Sequence, residues 1–387
     1  MSALHEVLEP YVGGAGAPGA VALVARGDRV ESVALGYARA GGDTPMAPDS
    51  LFRVASLTKP VTAAAVLMLA EEGLLTLDAP VAPWLPELAS PVVVRRPDGP
   101  VDDVVPARRP VTVEDLLTFR AGWGFPSDFG HPAVGLLFSE LRQGPPQPQG
   151  VAPPDEWMAA LSRIPLLHQP GEAWLYNTCS DVLGVLIARV SGRTLPGFLA
   201  ERIFGPLGMA DTAFSVPEGV LGRFTGCYRA GPEGGAPELV DAPDGQWSHP
   251  PAFPSGAGGL VSTAPDLYAF ARMLLAGGRA EDGRVLLRPS SVRQMTTDWL
   301  SPAQRRGGEL FLEGQGWGFG GSVDVTVRDP WNVPGRYGWV GGTGTAAHIV
   351  PSTGTAAVLL TQLEMSGPTP PPVMRDFWTY AAGPGRP

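Results

Sequence analysis

The sequence predicts an α+β fold: an antiparallel sheet flanked by helices, with an inserted, mostly helical region. Two observations predict it. Strand signals sit at both ends of the chain, with helix signals between them. A run of helix formers, Val61 to Glu72, also starts directly after a Ser-x-x-Lys sequence and closes at Gly73. A sheet drawn from both termini sets the expected division. The first part of an α/β domain covers residues 1–77, an inserted helical and loop region covers 78–259, and the second part of the α/β domain covers 260–387. A chain of 387 residues has ample length for such a core.

Taken in order, Ser2 to Val12 reads as a short amphipathic helix. Ala20 to Arg26 and Arg29 to Tyr37, joined by Gly27-Asp28, read as a β-hairpin with a tight turn. Thr112 to Thr118 has the pattern of a capped helical turn. Ala121 to Pro154 is rich in Gly and Pro and carries Trp123, Phe125, Phe129 and Phe138. It reads as a surface loop or as the wall of a pocket. Helices are expected over Asp155 to Ile164, Asp181 to Gly192, Pro196 to Phe204, Ala264 to Ala276 and Pro289 to Trp299, and over Pro371 to Ala382. Strands are expected over Trp317 to Val327, Gly338 to Val350 and Thr355 to Thr361. Asp78 and Asp266, each beside a proline, read as helix caps.

The chemistry begins at Ser56 and Lys59. They sit three apart, so a helix starting here puts both on one face. Pro60 fits a first turn, where its missing N–H would have had no partner. A serine hydroxyl is a weak nucleophile until a neighbouring base takes its proton. A lysine serves as that base when burial or the positive end of a helix lowers its pKa. The competing reading is a chance Ser-x-x-Lys on a solvated helix. Two distant segments bear on the choice. Tyr176, in a polar turn before a helix, suits proton transfer between a serine and a leaving group, or plain packing with a wet hydroxyl. The stretch from Tyr337 to Thr345 has glycines inside a strand, the mark of a close approach to the backbone or of simple twisting. Acyl transfer needs N–H donors at such a place.

Other chemistries are poorly supported. The five histidines are isolated, and neither a His-Glu-x-x-His motif nor a Gly-x-Ser-x-Gly elbow is present. No phosphate or dinucleotide fingerprint occurs. His131 and His249 are minor candidates for lining a pocket. Cys179 and Cys227 have no framework or metal spacing and read as buried free thiols. The formal charge of −10 and the lack of basic runs argue against nucleic acid. No apolar run is long enough to span a bilayer. The N-terminal residues lack the basic and apolar regions of a signal peptide, so the expectation is a cytoplasmic protein.

The block Phe52 to Pro60 resembles the Ser-x-x-Lys block of the serine β-lactamase and penicillin-binding superfamily, in its class C-like branch. Further blocks resemble that branch in the same order: Val111 to Thr118, Gln169 through Tyr176, Asp181 to Gly184, Ile203 to Met209, Gly258 to Thr263 and Gly338 to Gly344. The resemblance implies a β-lactamase/DD-peptidase-like fold with Ser56 as the acylated nucleophile and Lys59 as its activator. It implies that Tyr176 shuttles the proton and that the backbone N–H groups of Ser56 and Gly342 form the oxyanion hole. It implies an acyl-enzyme, no metal and no cofactor.

Two motifs depart from the β-lactam-processing pattern. Thr178 stands where those members have Asn in the Tyr-x-Asn motif. Trp339, Val340 and Gly341 stand where they have Lys-Thr-Gly or His-Thr-Gly, whose cation and hydroxyl help hold a substrate carboxylate. In this the chain is most like the family VIII carboxylesterases. The resemblance thus implies a serine carboxylesterase acting on small-molecule, short-chain esters, with Trp123, Thr178, Trp247, Phe253, Trp339, Val340 and Gly341 as candidate residues of the substrate pocket wall. Its alternatives are a β-lactamase or D-alanyl-D-alanine carboxypeptidase, a D-amino-acid amidase, an acyltransferase on the same nucleophile, or a sensor module that is acylated without turnover. The oligomeric state stays open.

Overall fold

Ala20 to Ala25 carries no polar side chain, the pattern of a strand covered on both faces. The computed structural model, which describes residues 2–383, puts this segment inside a seven-stranded antiparallel sheet. Strands β1 (Gly19–Arg26) and β2 (Arg29–Gly36) come from the N-terminal side. Strands β3 (Gly316–Trp317), β4 (Ser322–Val323), β5 (Tyr337–Gly341), β6 (Thr345–Val350) and β7 (Thr355–Thr361) come from the C-terminal side. The order across the sheet is β2-β1-β7-β6-β5-β4-β3. The two ends of the chain meet where β1 pairs with β7, Leu23 opposite Val358.

The helices of the chain include α1 (Ala3–Leu8), α2 (Thr58–Glu71), α3 (Thr178–Ser191), α4 (Ala264–Leu275) and α5 (Pro372–Ala382). The period of two along β1 sorts its side chains between two cores. Ala22 and Val24 pack with Leu4 and Leu8 of α1 and Phe377 of α5, while Val21, Leu23 and Ala25 join the larger core that contains α2, α3 and α4. From Val61 to Ala70 helix α2 carries Thr62 as its one polar side chain, because the helix is buried on nearly all sides. Gly73, with φ of +74°, ends it in the left-handed cap expected just past a helix.

Several boundaries differ from the sequence expectation. Trp317 to Val327 is not one strand: Gly318 donates its N–H to the Gly321 carbonyl in a turn, which leaves only the short β3 and β4. The expected 289–299 helix ends at Met295, and Trp299 instead donates its N–H to the carbonyl of Trp317. The 121–154 stretch contains a helix, Pro132–Ser139. Asp78 caps no helix and accepts from Thr76 Oγ1 (2.6 Å). Asp266 lies in the first turn of α4, whose cap is Thr263. Among the described residues no single helix is long and apolar enough to cross a membrane. Cys179 and Cys227 are both buried and free.

A short pairing positions the site. Phe52–Arg53 runs antiparallel to Val261–Ser262. Arg53 is buried, and its guanidinium donates to Asp241 (Nε, 2.8 Å), the Thr225 carbonyl (2.7 Å) and the Ala242 carbonyl (2.8 Å). Its carbon lies 4.1 Å from the centroid of the Phe224 ring. Asp241→Ala leaves this guanidinium buried without its countercharge. Denaturant unfolding is therefore expected to show a loss of about 3 kcal/mol or more, because an uncompensated buried charge costs that much. A loss under about 1 kcal/mol, the range of exposed pairs, would contradict this.

Candidate active site

Val54 to Thr58 is held from three sides. The Val54 N–H donates to the Leu260 carbonyl (3.0 Å), and its carbonyl accepts from Thr345 Oγ1 (3.1 Å). Thr58 Oγ1 donates to the Ala55 carbonyl (2.7 Å) and accepts from the Leu260 N–H (3.2 Å). This bracing keeps Ala55 at φ +43°, a left-handed conformation that a residue with a Cβ adopts only under constraint. Ala55–Leu57 makes one 3₁₀ turn and then enters α2. Ser56 and Lys59 therefore share a face, and Lys59 Nζ donates to Ser56 Oγ at 2.8 Å. The ammonium group also donates to the Ala257 carbonyl (2.7 Å) and lies 4.7 Å from the centroid of the Tyr176 ring.

Tyr176 reaches the serine from 120 residues away in sequence. Its backbone pairs with Phe125, each N–H donating to the other's carbonyl at 2.9 Å. Asn177 follows at φ +84°, a second strained non-glycine position, and α3 starts at Thr178. This sharp reversal aims the Tyr176 hydroxyl at Ser56 Oγ, to which it donates at 2.9 Å. Trp339 Nε1–H in turn donates to Tyr176 Oη at 2.6 Å.

Burial separates the two proton-carrying groups. It lowers the Lys59 pKa to about 7, against the charge of Asp181, which raises it. It pushes the Tyr176 phenol up to about 12. Near neutral pH, Tyr176 is thus a proton donor, and Lys59 is the group that can be free to accept a proton. A base works only when unprotonated, so turnover is expected to rise with pH along a limb centred near 7. Asp181→Asn removes the charge that favours the ammonium form. It should move that limb to lower pH in a kcat/KM profile, whereas an unmoved limb would exclude electrostatic control by Asp181.

Asp181 is named from sequence only as part of a family block, though a lone acid at the head of the apolar run from Val182 to Ile187 is a signal. It is buried, and burial raises its pKa. Its Oδ1 accepts from Ser255 Oγ (2.6 Å) and the Ala257 N–H (3.1 Å), the residue whose carbonyl holds Lys59. Gly256 permits this approach of loop to helix: a Cβ there would stand 2.4 Å from the Ser180 carbonyl oxygen.

A cavity of about 380 Å³ opens over Ser56. Of the residues expected at the site, Tyr176, Gly342, Trp339, Val340, Trp247 and Phe253 line it with Ser56. Lys59 lies beneath, fully buried. Neither the Ser56 nor the Gly342 N–H has an acceptor among the described residues, and the space beside the Gly342 Cα is open. Three expected walls are corrected. Trp123 is buried elsewhere, donating its Nε1–H to the Ile164 carbonyl (2.9 Å). Thr178 lies behind the wall and donates its hydroxyl to Gln143 Oε1 (2.7 Å). Gly341 faces the serine's own turn, where a Cβ would stand 2.5 Å from the Val54 carbonyl oxygen. His131 and His249 do not line the cavity. Phe125 does, within the 121–154 stretch whose second reading is a pocket wall, and so do Phe311 and Glu364, for which the sequence carries no signal.

Known proteins resemble this arrangement along nearly the whole chain. The family model described as Beta-lactamase matches residues 4–373. An uncharacterized protein of Mycobacterium tuberculosis is 38% identical over 353 residues, 89% of this chain and 85% of its own. Esterase EstB of Burkholderia gladioli is 32% identical over 379 residues, 90% of this chain and 88% of its own. Among solved structures, EstCE1, described as a hydrolase with promiscuous acyltransferase activity, superposes with a TM-score of 0.78. It shares 23% sequence identity, covering 98% of this chain and 97% of its own.

Proposed function

Because this chain belongs to the beta-lactamase family and is a serine hydrolase, we propose that it hydrolyses short-chain carboxylic esters through an acyl-enzyme on Ser56. The observation that carries this reading is the convergence of Lys59 Nζ and Tyr176 Oη on one serine oxygen at an apolar cavity. Lys59, as the free amine, takes the Ser56 proton along the 2.8 Å contact. The oxygen attacks the ester carbonyl, and the N–H groups of Ser56 and Gly342 receive the oxyanion. When the tetrahedral species collapses, Tyr176 gives its proton to the departing alkoxide, and the proton held on Lys59 replaces it. Water then attacks the acyl-enzyme with the same groups in reverse order, and Ser56 is restored.

Trp339 and Val340 support esters over carboxylate-bearing β-lactams. They offer an apolar wall and no cation or hydroxyl, and the Trp339 N–H is already committed to Tyr176. A charged carboxylate moved beside them would lose water without gaining a partner. The test is a paired turnover assay with p-nitrophenyl butyrate and a chromogenic cephalosporin. The expected result is ester kcat/KM above that for the cephalosporin by about 10²-fold or more, the discrimination an unpaired buried charge can supply. Comparable or faster β-lactam opening would overturn the esterase reading in favour of a β-lactamase.

A further inference from the structure

Glu364 belongs to neither the catalytic group nor its supports, yet it lines the cavity over Ser56. Its neighbour Met365 donates its N–H to the Gly342 carbonyl (2.8 Å), which places Glu364 beside the expected oxyanion hole. The carboxyl group is half-buried and makes no ion pair among the described residues. Its one side-chain partner is the Cys227 thiol, a weak donor at 3.7 Å. Of the two nearby cations, Arg53 is already engaged by Asp241, and Arg229 is exposed and paired with Glu238 (2.7 Å).

The other charged groups lining the cavity leave this acid uncompensated. Asp181 is fully engaged by Ser255, Ala257 and Gln143. Arg142 is exposed at the rim, where water and salt screen it. The remaining walls are uncharged and include a set of aromatic rings: Phe125, Phe311, Trp157, Trp247, Phe253 and Trp339. Aromatic faces attract cations, most strongly where water is excluded. Aromatic walls and an unpaired carboxylate therefore favour the same sign of charge.

We propose that the cavity selects esters that carry an ammonium group, held between its aromatic walls and the Glu364 carboxylate. This rests on the esterase reading above and names its substrate class. The same carboxylate repels anionic esters, which adds to the penalty set by Trp339 and Val340.

Two isosteric pairs test it. Butyrylcholine against 3,3-dimethylbutyl butyrate places the cation on the alcohol side. The p-nitrophenyl esters of 4-(trimethylammonio)butanoate and 5,5-dimethylhexanoate place it on the acyl side. Each kcat/KM is divided by the ester's own alkaline hydrolysis rate. In at least one pair the cationic ester should lead by about tenfold, as a cation–aromatic contact and a partly screened ion pair would give. Glu364→Gln should then reduce that lead several-fold. If the neutral esters turn over as fast as both cationic ones, the inference falls and the esterase reading stands. If none of the four esters turns over, the esterase reading falls and takes the inference with it. A lead that survives Glu364→Gln unchanged overturns the role of the carboxylate, and the wild-type ratios decide the substrate class even if this variant does not fold.

Discussion

Ser56→Ala is expected to lower ester turnover by about 10⁴-fold or more, the scale of loss when a covalent nucleophile is removed. The substitution takes away the one atom on which both proton-handling groups converge. It should do so without disturbing the fold. Lys59 keeps the Ala257 carbonyl as an acceptor, and Tyr176 Oη keeps the Trp339 N–H. The turn itself is held by Val54, Thr58 and Thr345, none of which bonds to the serine hydroxyl. The thermal midpoint should therefore stay close to that of the unsubstituted protein while turnover disappears. A second readout separates chemistry from binding. A p-nitrophenyl phosphonate should add its phosphonyl group to the native chain, visible by intact mass, and leave the variant unlabelled. Near-normal hydrolysis by the variant would mean that another group attacks the ester, and the assignment of Ser56 would fail.

The sequence was most legible where the geometry is local. The β1–β2 hairpin follows from an apolar run, a Gly27-Asp28 turn and a second run of similar length. The shared face of Ser56 and Lys59 follows from a spacing of three at the entry to a helix. Legibility falls where the fold brings distant segments together. Only the family resemblance pairs Tyr176 with Ser56; the residues themselves do not reveal it, because the reversal depends on pairing with Phe125 and on a strained Asn177. Aromatic residues show the same limit. Trp123 and Trp247 have equal apolar bulk, but only the backbone path decides that one packs under Ile164 and the other lines the cavity. Polar residues buried behind a site are harder still. Thr178 occupies a motif position and serves a neighbour, Gln143, while Asp181 sits in an apolar helix pattern and steers Lys59. The strand expected over 317–327 failed for a simpler reason: its glycines turn the chain before a ladder can extend.

Lys59→Met and Tyr176→Phe are both expected to slow turnover, and comparison of the two separates their roles. Methionine keeps the length and most of the volume of the buried lysine, so the core around α2 stays filled. The lost ammonium leaves Asp181 without a countercharge, and burial already raises the pKa of that acid, so it can take up a proton rather than unfold the site. The expected loss in kcat is about 10²- to 10⁴-fold, the range for removing a positioned base. Tyr176→Phe removes a donor to Ser56 Oγ and leaves the Trp339 N–H without its acceptor. Its loss should lie near the lower end of that range, since Lys59 can still deprotonate the serine. The pH profiles distinguish the two more sharply than the rates do. The limb centred near 7 belongs to the lysine, whose pKa burial lowers to about 7. The phenol, pushed up to about 12, cannot produce a limb there as an isolated group. The limb should vanish in Lys59→Met and persist in Tyr176→Phe. The reverse outcome would make tyrosinate the base, its formation coupled to the nearby ammonium, and Lys59 would then act by electrostatics alone.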